Sequence, residues 1–373
     1  MNILIIGNGH TTKIGDKFYK DKHTSSFISE LCSLGHSISW HEPIYEEIDG
    51  NSDLHDKELP EINFELLSAK PVLKKKLYKL VFFIRTFFRL IKSLPKIDLI
   101  YLFLPGSLSM FSGVLFYIFR KNIAIYVRAD INYDSYLQRL LFRNANFILA
   151  TGSHFQQGLS KYNKESYVVT TMINISKEDI RHKNIIEKPS FDILFVGRAH
   201  AAKGIWPLVE AAKILSEKGF QFTLHIVGGG SELQDLQNYV QIENLSEYIL
   251  LYGMIAEKSE LQSLYIRADV FVLPSFVEGV PRVLYEAMTY SLPVITTFVG
   301  SIPSIMTDKY NCLQIPVNES LALASTLELL KNDIKLQKYL STNAYKTIET
   351  FFSTRSKYSH AEQLDRLIKG LTI

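Results

Sequence analysis

Residues 191–215 read FDILFVGRAHAAKGIWPLVEAAKIL, and a second apolar run, QFTLHIVG, follows at 221–228. Each short run is rich in β-branched and aromatic residues and stops at glycine, and the segment between them carries a helix-length apolar pattern. Strand, crossover helix and strand in that order mark a parallel sheet, because parallel neighbours need a helix-sized connection. The rhythm continues through YILLYG (248–253), DVFVLPS (269–275) and LPVITT (292–297). It also fills the first half of the chain, in NILII (2–6), DLIYLFL (98–104), NIAIYV (122–127) and NFILAT (146–151). Between the two series lies NISKEDIRHKNIIEKPS (174–190), polar and closing on Pro189, which reads as a linker. The pattern predicts two doubly wound α/β domains, 1–173 and 191–351, with a terminal helix over 352–373 that joins the first.

Composition fits this division. A chain of 373 residues with 47% hydrophobic and 21% charged content is expected to be soluble and to bury two cores. Cys32 and Cys312 offer neither a disulfide framework nor metal-ligand spacing, which points to a reducing compartment, the cytoplasm. The opening MNILIIGNGH has too short an apolar run for a secretory leader and reads as a buried first strand. No stretch is long and uncharged enough to span a bilayer.

In doubly wound sheets, ligands sit beyond the carboxyl ends of the strands. Glycines stand there in both halves: Gly7 and Gly9, Gly197, and the run Gly228 to Gly230. The first turn, GNGHTT, has threonine where a dinucleotide fingerprint needs its third glycine, so an NAD-dependent dehydrogenase is disfavoured. In the second half, Arg198 leaves a strand end and Lys203 precedes Gly204 and a helix. Two cations on one strand-to-helix loop, aided by free helix amides, suit a diphosphate; the competing reading is a pair of solvated surface charges. Further on, SFVEGVPRVLYEA (275–287) places Glu278 in a strand-exit loop and Glu286 more than a turn inside the next helix, with Pro281 expected in the first turn. Gly279 lets the backbone approach a ligand, and the amides around Val280 are free to meet a phosphate or a hydroxyl. Either glutamate alone reads as a structural cap or pair; together with the Gly and Pro they read as a sugar-nucleotide site.

The stretch PSFVEGVPRVLYEAMTYSLPVITTFVGSIPSI (274–305) resembles the signature of family-4-type retaining glycosyltransferases, of the GT-B superfamily. Its E-x7-E motif falls on Glu278 and Glu286, FVGR with KG (195–204) matches the family's phosphate-binding Arg and Lys, and the resemblance runs in order from about residue 191 to 315. It implies a GT-B fold, two Rossmann-like domains whose parallel sheets face each other across a cleft. It implies that Arg198 and Lys203 clamp the donor diphosphate, that Glu286 binds the ribose, and that Glu278 stands beside the donor sugar with Gly279 and Val280. Met254 and Ile255 occupy the loop that holds the base. Two departures stand out. Arg128 or Asp130 takes the place of a sugar-contacting histidine, and the usual GGIPE is Gly300, Ser301, Ile302, Pro303, Ser304, without its glutamate. Gly9 and His10 are candidate acceptor or sugar contacts, although a lone histidine such as His10, His154 or His200 is more often a bonded bystander.

No Asp-x-Asp occurs in the chain, so the expected chemistry uses no metal and no cofactor: Arg198 and Lys203 would neutralise the leaving diphosphate. The expected activity is retaining sugar transfer from a nucleotide-diphosphate donor to a glycan or lipid-linked acceptor, in bacterial surface polysaccharide synthesis. The alternatives are a GT-B nucleotide-sugar epimerase or hydrolase and a non-catalytic GT-B subunit that supports a partner enzyme.

Residues 70–96, KPVLKKKLYKLVFFIRTFFRLIKSLPK, carry nine Lys or Arg and no acid. Taking those charges from the chain's net +3 leaves the remainder at −6, so the basicity is concentrated here. Leu77, Leu80, Ile84, Phe87, Phe88, Ile91 and Leu94 follow helical spacing, with Arg85, Arg89 and Lys92 opposite. This predicts a helix whose apolar stripe packs on the sheet and whose basic face meets anionic lipid on the inner face of the cell membrane. Nucleic acid is not expected as a partner, since no recognition module is present.

Overall fold

The structure is a computed structural model and describes residues 1–371 apart from 8, 10, 15, 16, 43, 47–55, 60–74, 129, 130, 132, 134, 170–174 and 355–357. Contacts divide the chain into two compact units, Met1–Met172 with Ser356–Ile373, and Ile173–Arg355.

The first unit is built on β1 (Asn2–Ile6), β2 (Thr11–Ile14), β3 (Lys17–Asp21), α1 (Lys22–Ser33), β4 (Ser37–His41), β5 (Ile44–Glu46), β6 (Asp56–Glu58) and α2 (Lys75–Ser93). It continues with β7 (Leu99–Leu104), α3 (Ser107–Ile118), β8 (Asn122–Val127), α4 (Tyr136–Asn144), β9 (Phe147–Thr151), α5 (Ser153–Ser160) and β10 (Ser166–Val169). Six strands form one parallel sheet in the order β10-β9-β8-β7-β1-β4. The sheet is built from runs buried on both faces, as all-parallel sheets require: every residue of β7 and β9 is buried. Ile3, Ile5, Trp40, Tyr101 and Phe103 face one layer of the core with Phe27 and Ile28 of α1. A second sheet, β5-β2-β3-β6, follows the carboxyl end of β1. Its strands are polar, and the apolar-run reading did not foresee them.

The second unit comprises β11 (Phe191–Val196), α6 (Ile205–Glu217), β12 (Phe222–Val227), α7 (Leu233–Ile242), β13 (Ile249–Gly253), α8 (Lys258–Arg267), β14 (Val270–Leu273), α9 (Arg282–Thr289), β15 (Val294–Thr296), β16 (Leu313–Gln314), α10 (Ser320–Asn332) and α11 (Ile334–Thr354). Its six parallel strands run β13-β12-β11-β14-β15-β16, so the order reverses beside β11, where doubly wound sheets open for ligands. The expected α/β class with two parallel sheets is what the chain adopts. The last helix, α12 (His360–Lys369), packs in the first unit. Tyr101 Oη lies 2.7 Å from His360 Nε2, and His36 Nε2 lies 2.9 Å from Asp365 Oδ1.

Two local expectations need correction. Pro281 is the cap residue before α9 and not part of its first turn; its ψ of 100° is extended. On α2, the buried face runs through Thr86, Leu90 and Leu94, and Ile84 and Phe88 are 47% and 66% exposed. Packing onto the unit selects one narrow row at i, i+4 spacing, and the wider apolar stripe leaves these two side chains in solvent beside Arg85 and Lys92. No helix among the described residues is long and apolar enough to cross a membrane.

Candidate active site

The carboxyl ends of β11, β12 and β13 are laced together by backbone. Gly197 N–H donates to the Val227 carbonyl at 2.9 Å, Gly228 N–H to the Gly253 carbonyl at 2.7 Å, and Ala199 N–H to the Gly229 carbonyl at 2.9 Å. The packing tolerates no side chain at Gly228: its φ is +131°, and a Cβ there would stand 1.9 Å from the Gly197 oxygen. This lacing fixes the loop that carries Arg198. The Arg198 side chain is exposed and makes no hydrogen bond or ion pair among the described residues.

Lys203 follows in a single turn, Ala201–Lys203, which His200 starts by accepting at Nδ1 from Ala202 N–H at 3.1 Å. Gly204 closes the turn at φ +68°, pressed so closely on the next loop that a Cβ would lie 1.9 Å from the Pro274 oxygen. Phe276 N–H donates to the Ala202 carbonyl at 2.9 Å, so the loop after β11 and the loop after β14 form one surface. Across it, Lys203 Nζ donates to Glu278 Oε1 at 2.7 Å, and Ser275 Oγ donates to the same oxygen at 2.7 Å. Glu278 is 6% exposed, so this pair is shielded from solvent on the carboxylate side.

Glu286 sits on α9, half-buried, and Tyr265 Oη donates to its Oε2 at 2.9 Å. Burial raises the Glu286 carboxyl above its ordinary value, against the lowering pull of the Tyr265 hydrogen bond and Arg282. Burial and then the Glu286 charge raise Tyr265 well above the ordinary phenol range. Gly279 and Val280 are partly exposed, and the Gly279 carbonyl accepts from both Ser301 Oγ and Ser301 N–H.

The predicted residues thus fall in distinct places. Lys203 and Glu278, 75 positions apart, are in direct contact, and Arg198, Gly279 and Val280 stand on the same pair of loops. Met254 is exposed and lies beside Gly229, its Cγ 3.1 Å from where a Gly229 Cβ would be, whereas Ile255 is buried in the core. In the first unit, Arg128 follows β8 with its guanidinium 5.4 Å from the Phe103 ring, and Gly9 is exposed. His10 and Asp130 lie outside the described residues. Sequence reasoning missed Ser275 and Tyr265, which hold the two glutamates. It counted Ser301 only as a departure, although that hydroxyl ties the 300–304 loop to Gly279.

The arrangement offers two cations, one already paired with a shielded carboxylate, at the carboxyl edge of a Rossmann-like sheet. That is the architecture of the GT-B class. Residues 176–347 match the family model for glycosyl transferases group 1, and the chain carries a domain of that family. The chain is 27% identical over 263 residues, 66% of its own length and 64% of the relative's, to the amylovoran biosynthesis glycosyltransferase AmsK of Erwinia amylovora. It spans from about half to just under two thirds of the length of the curated relatives it matches. Among solved structures, sucrose-phosphate synthase from Thermosynechococcus elongatus superposes with a TM-score of 0.69 at 18% identity, over 99% of this chain and 98% of that one. Anabaena Alr3699/HepE in complex with UDP-glucose superposes with a TM-score of 0.65 at 16% identity over the whole of both chains. At these identities the likeness is one of fold.

Proposed function

We propose that the chain is a retaining, metal-independent glycosyltransferase that moves a sugar from a nucleoside diphosphate to a glycan or lipid-linked acceptor in the synthesis of a surface polysaccharide. The observation that carries this reading is the contact of Lys203 with Glu278 next to the unpaired Arg198, inside the segment that matches the family model. Cleavage of the anomeric bond puts negative charge on the diphosphate and positive charge on the sugar. Fixed cations aimed at the first, and a carboxylate beside the second, stabilise the transition state more than the ground state. Arg198 is unspent among the described residues and meets the incoming diphosphate first. Lys203 turns from Glu278 to the phosphate, which releases the Glu278 oxygen to a sugar hydroxyl. Glu286, held by Tyr265, accepts from the ribose.

HepE has been crystallised with UDP-glucose, so UDP-sugars are the first donors to try. The test is UDP release and sugar transfer by the purified protein, with and without chelator. Turnover that survives chelator, with the product anomer matching the donor, is the expected result. Activity abolished by chelator and restored by manganese overturns metal independence, and an inverted product overturns retention.

The reading also places the enzyme at the cytoplasmic face of the membrane. The exposed Ile84 and Phe88 next to Arg85 and Lys92 on α2 support it, since apolar side chains flanked by cations suit an anionic interface. Sedimentation with phosphatidylglycerol vesicles at low salt, lost in Ile84→Ala/Phe88→Ala, is expected; no sedimentation of the wild type removes the claim.

A further inference from the structure

The first unit holds a buried charged group that the proposed chemistry does not use. Glu42, 1% exposed, directly follows β4 and lies under the turn that ends β1. Its Oε1 accepts from Thr11 Oγ1 at 2.5 Å and from Lys20 Nζ, which tie it to β2 and β3. Its Oε2 is buried and has no hydrogen-bond partner. Buried carboxylate oxygens are normally bonded, and one left bare marks a place where a donor is missing.

The geometry around that oxygen shows where a donor can enter. At Gly7 the turn is closed: a Cβ there would stand 2.2 Å from Glu42 Oε2 and 2.9 Å from the Trp40 ring. At Gly9, which is exposed, it is open. A Cβ there would lie 3.6 Å from Lys20 Nζ and 3.8 Å from Glu42 Oε2, and among the described residues no other atom comes within 4 Å. A small group entering beside Gly9 therefore meets an ammonium and the bare carboxylate oxygen, and little else.

We propose that Gly9, Lys20 and Glu42 form a hydroxyl-binding subsite for an uncharged, polyhydroxylated ligand, a sugar whose hydroxyl donates to Glu42 Oε2. The charges select this class. Glu42 repels a phosphate, Lys20 repels an amine, and the pair is neutral as a whole, so a neutral donor is favoured over either ion. Thr11 and Lys20 hold the carboxylate in place, so the hydroxyl meets a preorganised acceptor. Assigning this sugar to the acceptor side of the reaction rests on the glycosyltransferase reading; the existence of the subsite does not.

The rival explanation is a purely structural staple between β4 and the small sheet. Saturation-transfer NMR separates the two, using the full-length protein with methyl glycosides of glucose, galactose, mannose and N-acetylglucosamine, and with UDP as the probe of the second unit. Gly9→Ala is the sharper variant, because its methyl would fill the opening at ordinary contact distances and leave the turn unstrained; Glu42→Gln keeps the shape and replaces half of the acceptor. The subsite predicts that at least one glycoside binds the wild type and binds both variants about ten- to a hundredfold more weakly, the scale of a hydrogen bond to a charged group, while the UDP signal holds. Equal glycoside binding by wild type and variants overturns the proposal, and so does UDP binding with no glycoside bound. Glycoside binding that depends on Gly9 and Glu42 with UDP silent upholds the subsite and removes the glycosyltransferase reading instead.

Discussion

Lys203 serves two partners in turn, and the contest between them is measurable. Its ammonium is bonded to Glu278 in the structure, whereas the proposed chemistry needs it on a diphosphate. Glu278→Gln removes the competitor, so UDP should bind this variant several-fold more tightly by calorimetry while turnover of a UDP-sugar falls about 10²-fold. Weaker UDP binding would show that Glu278 does not compete for Lys203. Arg198→Ala and Lys203→Ala should each lower kcat by about 10²-fold or more, on the scale of losing one transition-state donor. Glu286 adds a pH signature. Its folded carboxyl holds its proton above the ordinary value of 4.5, so the folded state binds more protons than the unfolded one just above that pH. This contribution to stability is full below 4.5 and is lost as pH rises through the raised value, while affinity for a ribose should rise over the same range as the better acceptor forms. Glu286→Gln should flatten both trends; an unchanged pH profile of melting and of UDP affinity would exclude the carboxyl as their source. Arg198, Lys203 and the two glutamates were legible because loop position and spacing carry their chemistry. Ser275, Tyr265 and Ser301 were not, since each acts through a side-chain bond to a loop or helix that only the fold brings near.

Among the elements, the strands buried on both faces announced themselves as apolar runs, and β1, β7, β8, β9, β11 to β15 lie within the stretches that predicted them. SISWH, which forms β4, and the strands TTKI and KFYKD did not, because their burial is partial and their pairing depends on polar contacts such as Thr11 and Lys20 with Glu42. The same limit explains α2: periodicity gave a helix, but only contact with the rest of the unit could say which of its apolar rows is covered. A turn can be as decisive as a strand. Gly204 joins the Lys203 turn to α6 with a left-handed φ of +68° and backbone contact at Pro274. Gly204→Ala forces both a strained conformation and separation of the two site loops. It should cost roughly 2 kcal/mol or more in denaturant unfolding and weaken UDP binding in the fraction that folds. Wild-type values for both would mean that the turn relaxes freely and does not position Lys203.

At the scale of the whole molecule, the two units should differ in their response to acid. In the first, His360 is pushed from the ordinary 6.5 down to about 3 by burial, and His41 to about 4 by burial and the nearby Arg89 charge. Both are neutral when folded and take up protons when unfolded, so between pH 6.5 and 4 the unfolded unit binds up to two more protons. Its stability therefore falls as pH is lowered through that window, by up to about 1.4 kcal/mol per proton per pH unit. The second unit has the opposite balance. Burial alone would lift Asp192, but His225, Arg267 and Lys188 hold it below its ordinary 3.8, so its contribution is lost only under more acidic conditions, and Glu286 gains as pH falls toward 4.5. The chain's two tryptophans separate these events, since Trp40 is in the first unit and Trp206 in the second. In Trp206→Phe, the melting transition seen through Trp40 should fall by several degrees from pH 7 to pH 5. In Trp40→Phe, the transition seen through Trp206 should move far less, and adding His360→Gln to Trp206→Phe should blunt the first shift. Parallel shifts through both tryptophans would mean that the units unfold as one, and a larger shift through Trp206 would reverse the assignment of acid lability to the buried histidines.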